Sequence, residues 1–149
     1  MEYFTVQISH ASKYGVNESI VLHTIIYFVL KNKVSNRNKK DGRFWTFNSY
    51  KGWVQSLPFF TEHQIRKALR SLREQGAVQV GVYNKKKYDK TFWYTISDAL
   101  LQEAENSDYW RSRIRSSNGT KATDKFVAPI PYKEYSKKSK EKINPIEPY

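Results

Sequence analysis

Basic and amide side chains recur on one face of a helix predicted over residues 62–75. At a rotation of about 100° per residue, His63, Lys67, Arg70 and the acidic Glu74 fall opposite the apolar positions of this helix, with Gln64, Arg66 and Ser71 on the flanks. Glutamine, lysine and arginine match the hydrogen-bonding edges of adenine and guanine, and the first turns of a recognition helix penetrate a major groove furthest. We therefore predict contacts with DNA bases from His63, Gln64, Lys67, Arg70 and Ser71.

A second basic group lies at the tip of a hairpin, where residues 84–91 carry four lysines. A flexible ammonium group is a point charge with little geometric selectivity, so it suits phosphate better than a base edge. Salt bridges are the alternative for Arg66 and Arg73, and packing over the hairpin is the alternative for Tyr88. The predicted contacts with the DNA backbone are those of Thr61, Arg66, Arg73, Lys85, Lys86, Lys87, Tyr88 and Lys90.

The elements that position these side chains have clear local patterns. Thr61 and Gln64 form the pattern of a capping box, and Gly76 stands where a helix-ending glycine is expected. The apolar stripe of this helix is Ile65, Ala68, Leu69 and Leu72. Residues 77–83 alternate like a strand, and residues 92–96 (FWYTI) make its partner. This order predicts the helix and wing of a winged helix-turn-helix domain, with a basic solvated helix beside an ordinary hairpin as the alternative.

The remaining chain supplies the other elements of such a domain. Residues 4–8 are predicted as a short strand or extended arm, and residues 32–42 as a polar, basic loop that is solvated, with contact to phosphate as the alternative. A strand over residues 43–47 is expected to pair with the hairpin. The predicted helices are residues 10–14 capped by Ser9, 18–31 capped by Asn17, 50–57 capped by Asn48 or Ser49, and 98–106 capped by Ser97. Helix 18–31 is apolar over most of its circumference, which makes it the buried centre or places one side against a partner subunit. Tyr109, Trp110 and Ile114 extend the last helix or pack as a satellite.

Composition favours a polyanionic partner. The chain of 149 residues carries 26 basic and 14 acidic side chains, a formal charge of +12. A membrane surface is the rival, but no predicted helix pairs a basic face with exposed Trp or Leu. The absence of cysteine excludes disulfides and thiolate zinc sites, and no signal peptide or membrane span is evident. We expect a cytoplasmic protein.

Covalent chemistry has no support in the sequence. His10, His23 and His63 lie in three different elements without metal-ligand spacing, and His23 is expected to be a packed core residue. There is no nucleophile–base set, no recognisable carboxylate pair and no phosphate-binding glycine loop. We therefore expect no enzyme activity, no metal and no cofactor.

Two segments resemble a known family. Residues 41–50 (DGRFWTFNSY) and 83–96 (YNKKKYDKTFWYTI) are similar to the N-terminal winged-helix domain of phage and plasmid replication proteins of Gram-positive hosts. These are replisome organisers or initiators, some grouped with DnaD-like primosome components. The resemblance begins at the segment GVNESIVLHTIIYFVLKN and runs to about Leu101. It implies origin recognition, often as dimers or higher assemblies, and recruitment of helicase-loading factors through a separate C-terminal domain.

The resulting expectation is an α+β winged helix-turn-helix with a three-helix core and a small antiparallel sheet. Residues 1–96 form the DNA-binding domain, 97–115 a helical extension and 116–149 a disordered or linker-like basic tail, and the chain could be a fragment of a longer protein. The expected function is sequence-specific binding of double-stranded DNA in phage or plasmid replication initiation. The expected partners besides DNA are a second copy of the chain and replication-machinery proteins. Two alternatives stay open, a transcriptional regulator on the same domain and a phage protein-interaction adaptor or inhibitor that uses it as a scaffold.

Overall fold

The computed structural model describes residues 4–119, which form six helices and a small antiparallel sheet. The α+β class expected from the sequence is confirmed. The helices are α1 (Ile8–Tyr14), α2 (Val16–Ser35), α3 (Tyr50–Ser56), α4 (Glu62–Glu74), α5 (Asp98–Glu105) and α6 (Asp108–Gly119). The strands are β1 (Lys39–Lys40), β2 (Arg43–Phe44), β3 (Thr46–Asn48), β4 (Val78–Gly81) and β5 (Phe92–Ile96). None of the helices in this part of the chain has the length and apolarity needed to cross a bilayer.

The longest helix, α2, is the buried centre of the fold, as its apolar sequence predicts. Every residue from 21 to 30 is buried, including His23 and Thr24. Helices α1, α4, α5 and α6 and strand β5 pack around it. The protein's own elements therefore cover the apolar surface that the sequence left open to a partner subunit.

The junction between α1 and α2 differs from the prediction. Helix α1 begins at Ile8, so the predicted cap Ser9 lies inside it, and residues 4–7 have no regular structure. Helix α2 begins directly after Gly15, so the predicted cap Asn17 also lies inside a helix. Gly15 has a φ of 115°, which is open to glycine but strained for other residues, and the chain turns there without a linker.

The C-terminal end of α2 lies beyond the predicted end at residue 31. Helix α2 continues to Ser35, and Asn36 ends it in the left-handed conformation with a φ of 54°. The Asn32 side chain donates a hydrogen bond to the carbonyl oxygen of Trp45 at 2.8 Å. This bond ties the polar last turns of the helix to the following segment, a contact that helical periodicity cannot reveal.

The three-stranded sheet has the order β3–β5–β4, with β5 in the middle. Tyr94 of β5 pairs with Thr46 on one side and with Val80 on the other, both antiparallel. The pairing of a short strand with the hairpin is thus as expected. Because side chains alternate between the faces of a sheet, Tyr94 faces the helices, where its ring contacts Trp53 at 5.8 Å between centroids, and Trp93 lies on the opposite face.

Strand β4 ends at Gly81, two residues before its predicted end. A Cβ atom on Gly81 would lie 2.8 Å from the Tyr83 ring and 3.4 Å from Trp45. The missing side chain makes room for the Tyr83 ring to lie against the strand. The chain leaves the ladder at this point.

Residues 39–44 form a small hairpin where the sequence analysis expected a loop. Strands β1 and β2 pair antiparallel, with Lys39 opposite Phe44. Asp41 and Gly42 both have positive φ, 53° and 76°, as a two-residue hairpin turn of type I′ requires. The strand predicted over residues 43–47 is interrupted at Trp45, since β2 pairs with β1 whereas β3 pairs with β5.

The C-terminal helices belong to the same core as α2. Ser97 caps α5 as predicted, and its hydroxyl accepts the Leu100 N–H. Trp110 and Ile114, expected to extend α5 or pack as a satellite, lie on the separate helix α6 and join Leu100 and Ala104 in the main cluster. Helix α6 runs to Gly119, past the predicted boundary at residue 115. The rest of the predicted tail lies outside the described residues.

His23 introduces a pH-dependent term into this core. Its ring packs against Phe4 and Trp110, and its Nε2 lies 2.9 Å from the Tyr109 hydroxyl. Burial, together with the positive charges of Arg113 and His10, lowers the pKa of His23 from 6.5 to about 3. The unfolded chain therefore binds a proton between these two values that the folded chain does not bind, so stability falls as the pH is lowered.

We expect the free energy of unfolding to fall by up to about 1.4 kcal/mol per pH unit as the pH drops below 6.5, the pKa of His23 in the unfolded chain. Urea denaturation at about pH 7 and about pH 5 measures this slope. His23→Gln keeps a neutral polar group and should lose the histidine part of the slope, whereas His63→Gln, at an exposed position, should keep it. An unchanged slope in His23→Gln would contradict the assignment.

Candidate nucleic-acid interface

Helix α4 has the cap and the buried apolar stripe that its sequence predicts. The Thr61 hydroxyl accepts the Gln64 N–H at 3.1 Å, and the Gln64 side-chain oxygen accepts the Thr61 N–H at 2.9 Å. This reciprocal pair completes the capping box. The apolar stripe is buried, and Gly76 follows the helix with a φ of 77°. Both ends and the inner face of α4 are therefore fixed, which fixes the direction of its outer face.

The outer face carries the exposed ridge, defined as His63, Lys67 and Arg70. These residues lie four and three positions apart, so their side chains are neighbours on the helix surface, and all three are exposed. Among the described residues, neither Lys67 nor Arg70 forms an ion pair with a carboxylate. The ridge is thus a row of donors directed at solvent from a rigid helix.

Two predicted base-contacting residues are engaged elsewhere. The side-chain oxygen of Gln64 belongs to the capping box, and a bidentate contact with adenine needs both the oxygen and the nitrogen of the amide. The Ser71 hydroxyl accepts a hydrogen bond from Gln75 Nε2 at 2.9 Å, and the same nitrogen donates to the carbonyl of Tyr14 in α1 at 3.3 Å. Ser71 therefore lies on the side of α4 that faces α1, and the structure does not group these two residues with the ridge.

Arg66 forms the salt bridge that the sequence left as an alternative. Its guanidinium lies 2.9 Å from the Glu62 carboxylate, and this hydrogen bond raises the pKa of Arg66. The guanidinium also stacks over the Tyr50 ring, 4.0 Å from its centroid. Arg73 is exposed and forms no ion pair in the described part of the chain. Thr61 is committed to the helix cap.

The contact between Arg66 and Tyr50 links α4 to the second basic group. The Tyr50 ring packs edge-on against Phe92, with 6.1 Å between centroids. Phe92 is the first residue of β5, which follows the lysine loop, defined here as residues 84–91. Arg66 of α4 and Phe92, which follows the lysine loop, therefore contact the same ring of α3, that of Tyr50.

The lysine loop is ordered by side-chain hydrogen bonds instead of strand pairing. Asn84 Nδ2 donates to the carbonyls of Asp89 and Thr91 at 2.7 and 2.8 Å, and Asn84 Oδ1 accepts the Trp93 indole N–H at 2.8 Å. The Asp89 carboxylate in turn accepts the N–H and hydroxyl of Thr91. The four predicted phosphate-contacting lysines are exposed on this pinned loop: Lys85, Lys86, Lys87 and Lys90.

The aromatic residues divide into packed and exposed sets. Tyr88 is 62% exposed on the lysine loop, where Lys86 Nζ lies 5.8 Å from the centroid of its ring. For four other rings the sequence favours packing over base stacking, and all four are buried: Trp45, Trp53, Trp93 and Tyr94. Base stacking by Trp53 or Tyr94 would require the core to open, since both rings belong to the main apolar cluster.

The β1–β2 hairpin adds basic residues that the sequence analysis treated as a solvated loop. Lys39 and Lys40 of this hairpin line a cleft of about 480 Å³ together with Lys85 and Lys86 of the lysine loop. The Asp41–Gly42 turn is the sequence feature that could have located this hairpin.

The described residues contain no group of three or more His, Cys, Asp or Glu side chains that could hold a metal ion. Neither a family model nor a curated protein nor a solved structure matches the chain.

Replacing Asn84 with alanine tests how the lysine loop is ordered. The change removes three hydrogen bonds and leaves the Trp93 indole N–H without its acceptor, so we expect a loss of about 1–3 kcal/mol of unfolding free energy. Amide exchange in residues 85–90 should become faster. Lys87→Ala is the control, with a change within about 0.5 kcal/mol. Urea denaturation and hydrogen exchange that fail to distinguish the two variants would contradict this role of Asn84.

Proposed function

We propose that this protein binds double-stranded DNA sequence-specifically as a winged helix-turn-helix, with α4 as the recognition helix and the lysine loop as the wing. The observation that carries the proposal is the exposed ridge on a capped helix, together with a lysine-rich loop that hydrogen bonds hold in place. A major groove about 12 Å wide accepts one helix. The ridge would then reach base edges while the lysine loop lies along a neighbouring phosphate backbone.

The arrangement of α3 and α4 supports a helix-turn-helix. Residues 57–61 join the two helices, which pack against each other. Trp53 and Val54 of α3 are buried in the core, as is Phe60 of the connection. In the proposed complex α3 holds α4 from behind and lies near the backbone, as the first helix of such motifs does.

The charge distribution supports a division of roles between the two basic elements. Lys67 and Arg70 can donate to the O6 and N7 atoms of guanine, and an arginine does so with two hydrogen bonds. Each lysine of the loop carries its ammonium group on a flexible side chain, which suits contact with phosphate oxygens.

Initiation of phage or plasmid replication is the process we propose for this binding. It rests on the resemblance of residues 41–50 and 83–96 to the winged-helix domains of such initiators. Mapping the bound sites by footprinting tests it, because an array of repeated sites inside a replication gene is the expected result. A single palindrome that overlaps a promoter would instead indicate a transcriptional regulator.

Substitutions on the ridge should change sequence preference. We expect Lys67→Ala and Arg70→Ala each to cost about 1–3 kcal/mol of binding free energy on a selected duplex and to relax the preference at one base position. Arg115→Ala removes the same charge from α6 and serves as the control. Fluorescence anisotropy with the selected and the scrambled duplex measures both quantities. Equal losses from all three variants would mean that the ridge contributes only charge.

Substitutions in the lysine loop should instead weaken binding to all sequences alike. Replacing Lys85, Lys86 and Lys87 together should reduce the slope of log affinity against log salt by roughly 0.9 per lost phosphate contact. The ratio between selected and scrambled duplex should stay constant. A changed sequence preference with an unchanged salt slope would reverse the proposed roles, and intact biological activity after loss of both basic elements would favour a protein-interaction adaptor.

A further inference from the structure

The cleft between the β1–β2 hairpin and the lysine loop lies on the outer face of the sheet, away from the helices. Lys39 and Lys40 form one wall, and Lys85 and Lys86 form the other. Phe47 and the Trp93 ring, which also line the cleft, are paired across β3 and β5 and lie 5.0 Å apart between centroids. The cleft therefore combines an aromatic floor with lysines on both sides.

Hydrogen bonds to the sheet hold the first wall in place. The Tyr83 hydroxyl donates to the Asp41 carboxylate at 2.7 Å, a bond that raises the pKa of Tyr83. The Trp45 indole N–H donates to the carbonyl of Lys40 at 3.0 Å, and the Tyr83 ring packs edge-on against Trp45. The second wall is held by Asn84 through its bond to Trp93. A cleft with both walls fixed loses little conformational entropy when it binds a ligand.

The charge of the cleft is suited to phosphate. In the described part of the chain, Lys39, Lys40 and Lys85 form no ion pair with a carboxylate. The two acids nearby already accept hydrogen bonds, Asp41 from Tyr83 and Asp89 from Thr91. Lys39 and Lys40 on one wall and Lys85 on the other thus have donors to offer to an external anion.

An aromatic floor suits an unpaired strand better than a duplex, because only unpaired bases have a free face to stack on it. Phe47 and Tyr83 are half-buried and line the cleft, so part of each ring remains accessible. The bases inside a duplex are stacked on both faces, whereas those of an unpaired strand have faces free to stack on an aromatic side chain. We propose that this cleft binds an unpaired DNA strand, with phosphates on the lysines and a base on the Phe47 ring.

This second binding mode goes beyond duplex recognition by α4 and does not depend on it. The test is fluorescence anisotropy of the full chain with a labelled oligothymidine and with an abasic oligomer of equal length and charge. We expect the oligothymidine to bind more tightly than the abasic oligomer. Equal affinities for the two oligomers, or no binding of the oligothymidine at low salt, would overturn the proposal.

Two variants locate the site. Lys39→Ala with Lys40→Ala should weaken oligothymidine binding by at least about tenfold, and Phe47→Leu should remove the preference over the abasic oligomer. Lys67→Ala with Arg70→Ala removes the same charge from the ridge and is the control. This control variant should weaken binding to the selected duplex and reduce the affinity for oligothymidine much less. If the double variant of the cleft and the double variant of the ridge lose oligothymidine binding equally, the cleft assignment is overturned. Titration with the selected duplex tests the recognition helix separately.

Since Lys39 and Lys40 are exposed, their replacement is not expected to affect folding. Phe47 lies against Trp93, so circular dichroism should first show that Phe47→Leu melts cooperatively. If it does not, the comparison of thymidine and abasic oligomers on the unaltered chain still decides whether a base is bound.

Discussion

The burial of α2 is the constraint on which the other elements depend. Residues 21–30 are buried around the whole circumference of the helix, so the chain must supply cover on every side. Helix α4 is one of these covering elements, and Ile65 and Leu72 on its inner face are fully buried. Because apolar burial is the main favourable term in folding, the direction of the exposed ridge is set by the core.

In the described part of the chain, no carboxylate forms an ion pair with Lys67 or Arg70 of the ridge or with Lys85 of the lysine loop. Asn84 and Tyr83 order the two hairpins through neutral donors and acceptors, and Thr61 orders α4 in the same way. Several of the protein's ion pairs lie elsewhere, where acids of α5 and α6 meet Lys33, Arg43 and Arg111. A surface arranged in this way keeps its electrostatic potential for a partner, at the cost of repulsion between its own lysines.

Local patterns were enough to predict α4, because its cap, its apolar stripe and its terminal glycine all lie within one short segment. The same holds for the cap Ser97 and for strand β5, whereas the cap of α3, which is Ser49, was predicted only as Asn48 or Ser49. Tertiary contacts set the ends of other elements, which local patterns did not predict. The long C-terminal end of α2 depends on Asn32 bonding to Trp45, and the early end of β4 depends on Tyr83 lying against Gly81. Helical position does not reveal that the Ser71 hydroxyl bonds to Gln75, whereas the capping-box pattern had already assigned the Gln64 side chain a partner.

The most direct measurement of sequence-specific duplex binding starts by selecting sites from random duplex DNA. The winning site is then titrated against a scrambled duplex at two salt concentrations. We predict a defined motif whose affinity exceeds that of scrambled DNA by about 10³-fold or more, with a ratio that persists as salt rises. Equal and steeply salt-dependent binding to both duplexes would contradict the proposal, because the basic surface would then be a general attraction for polyanions.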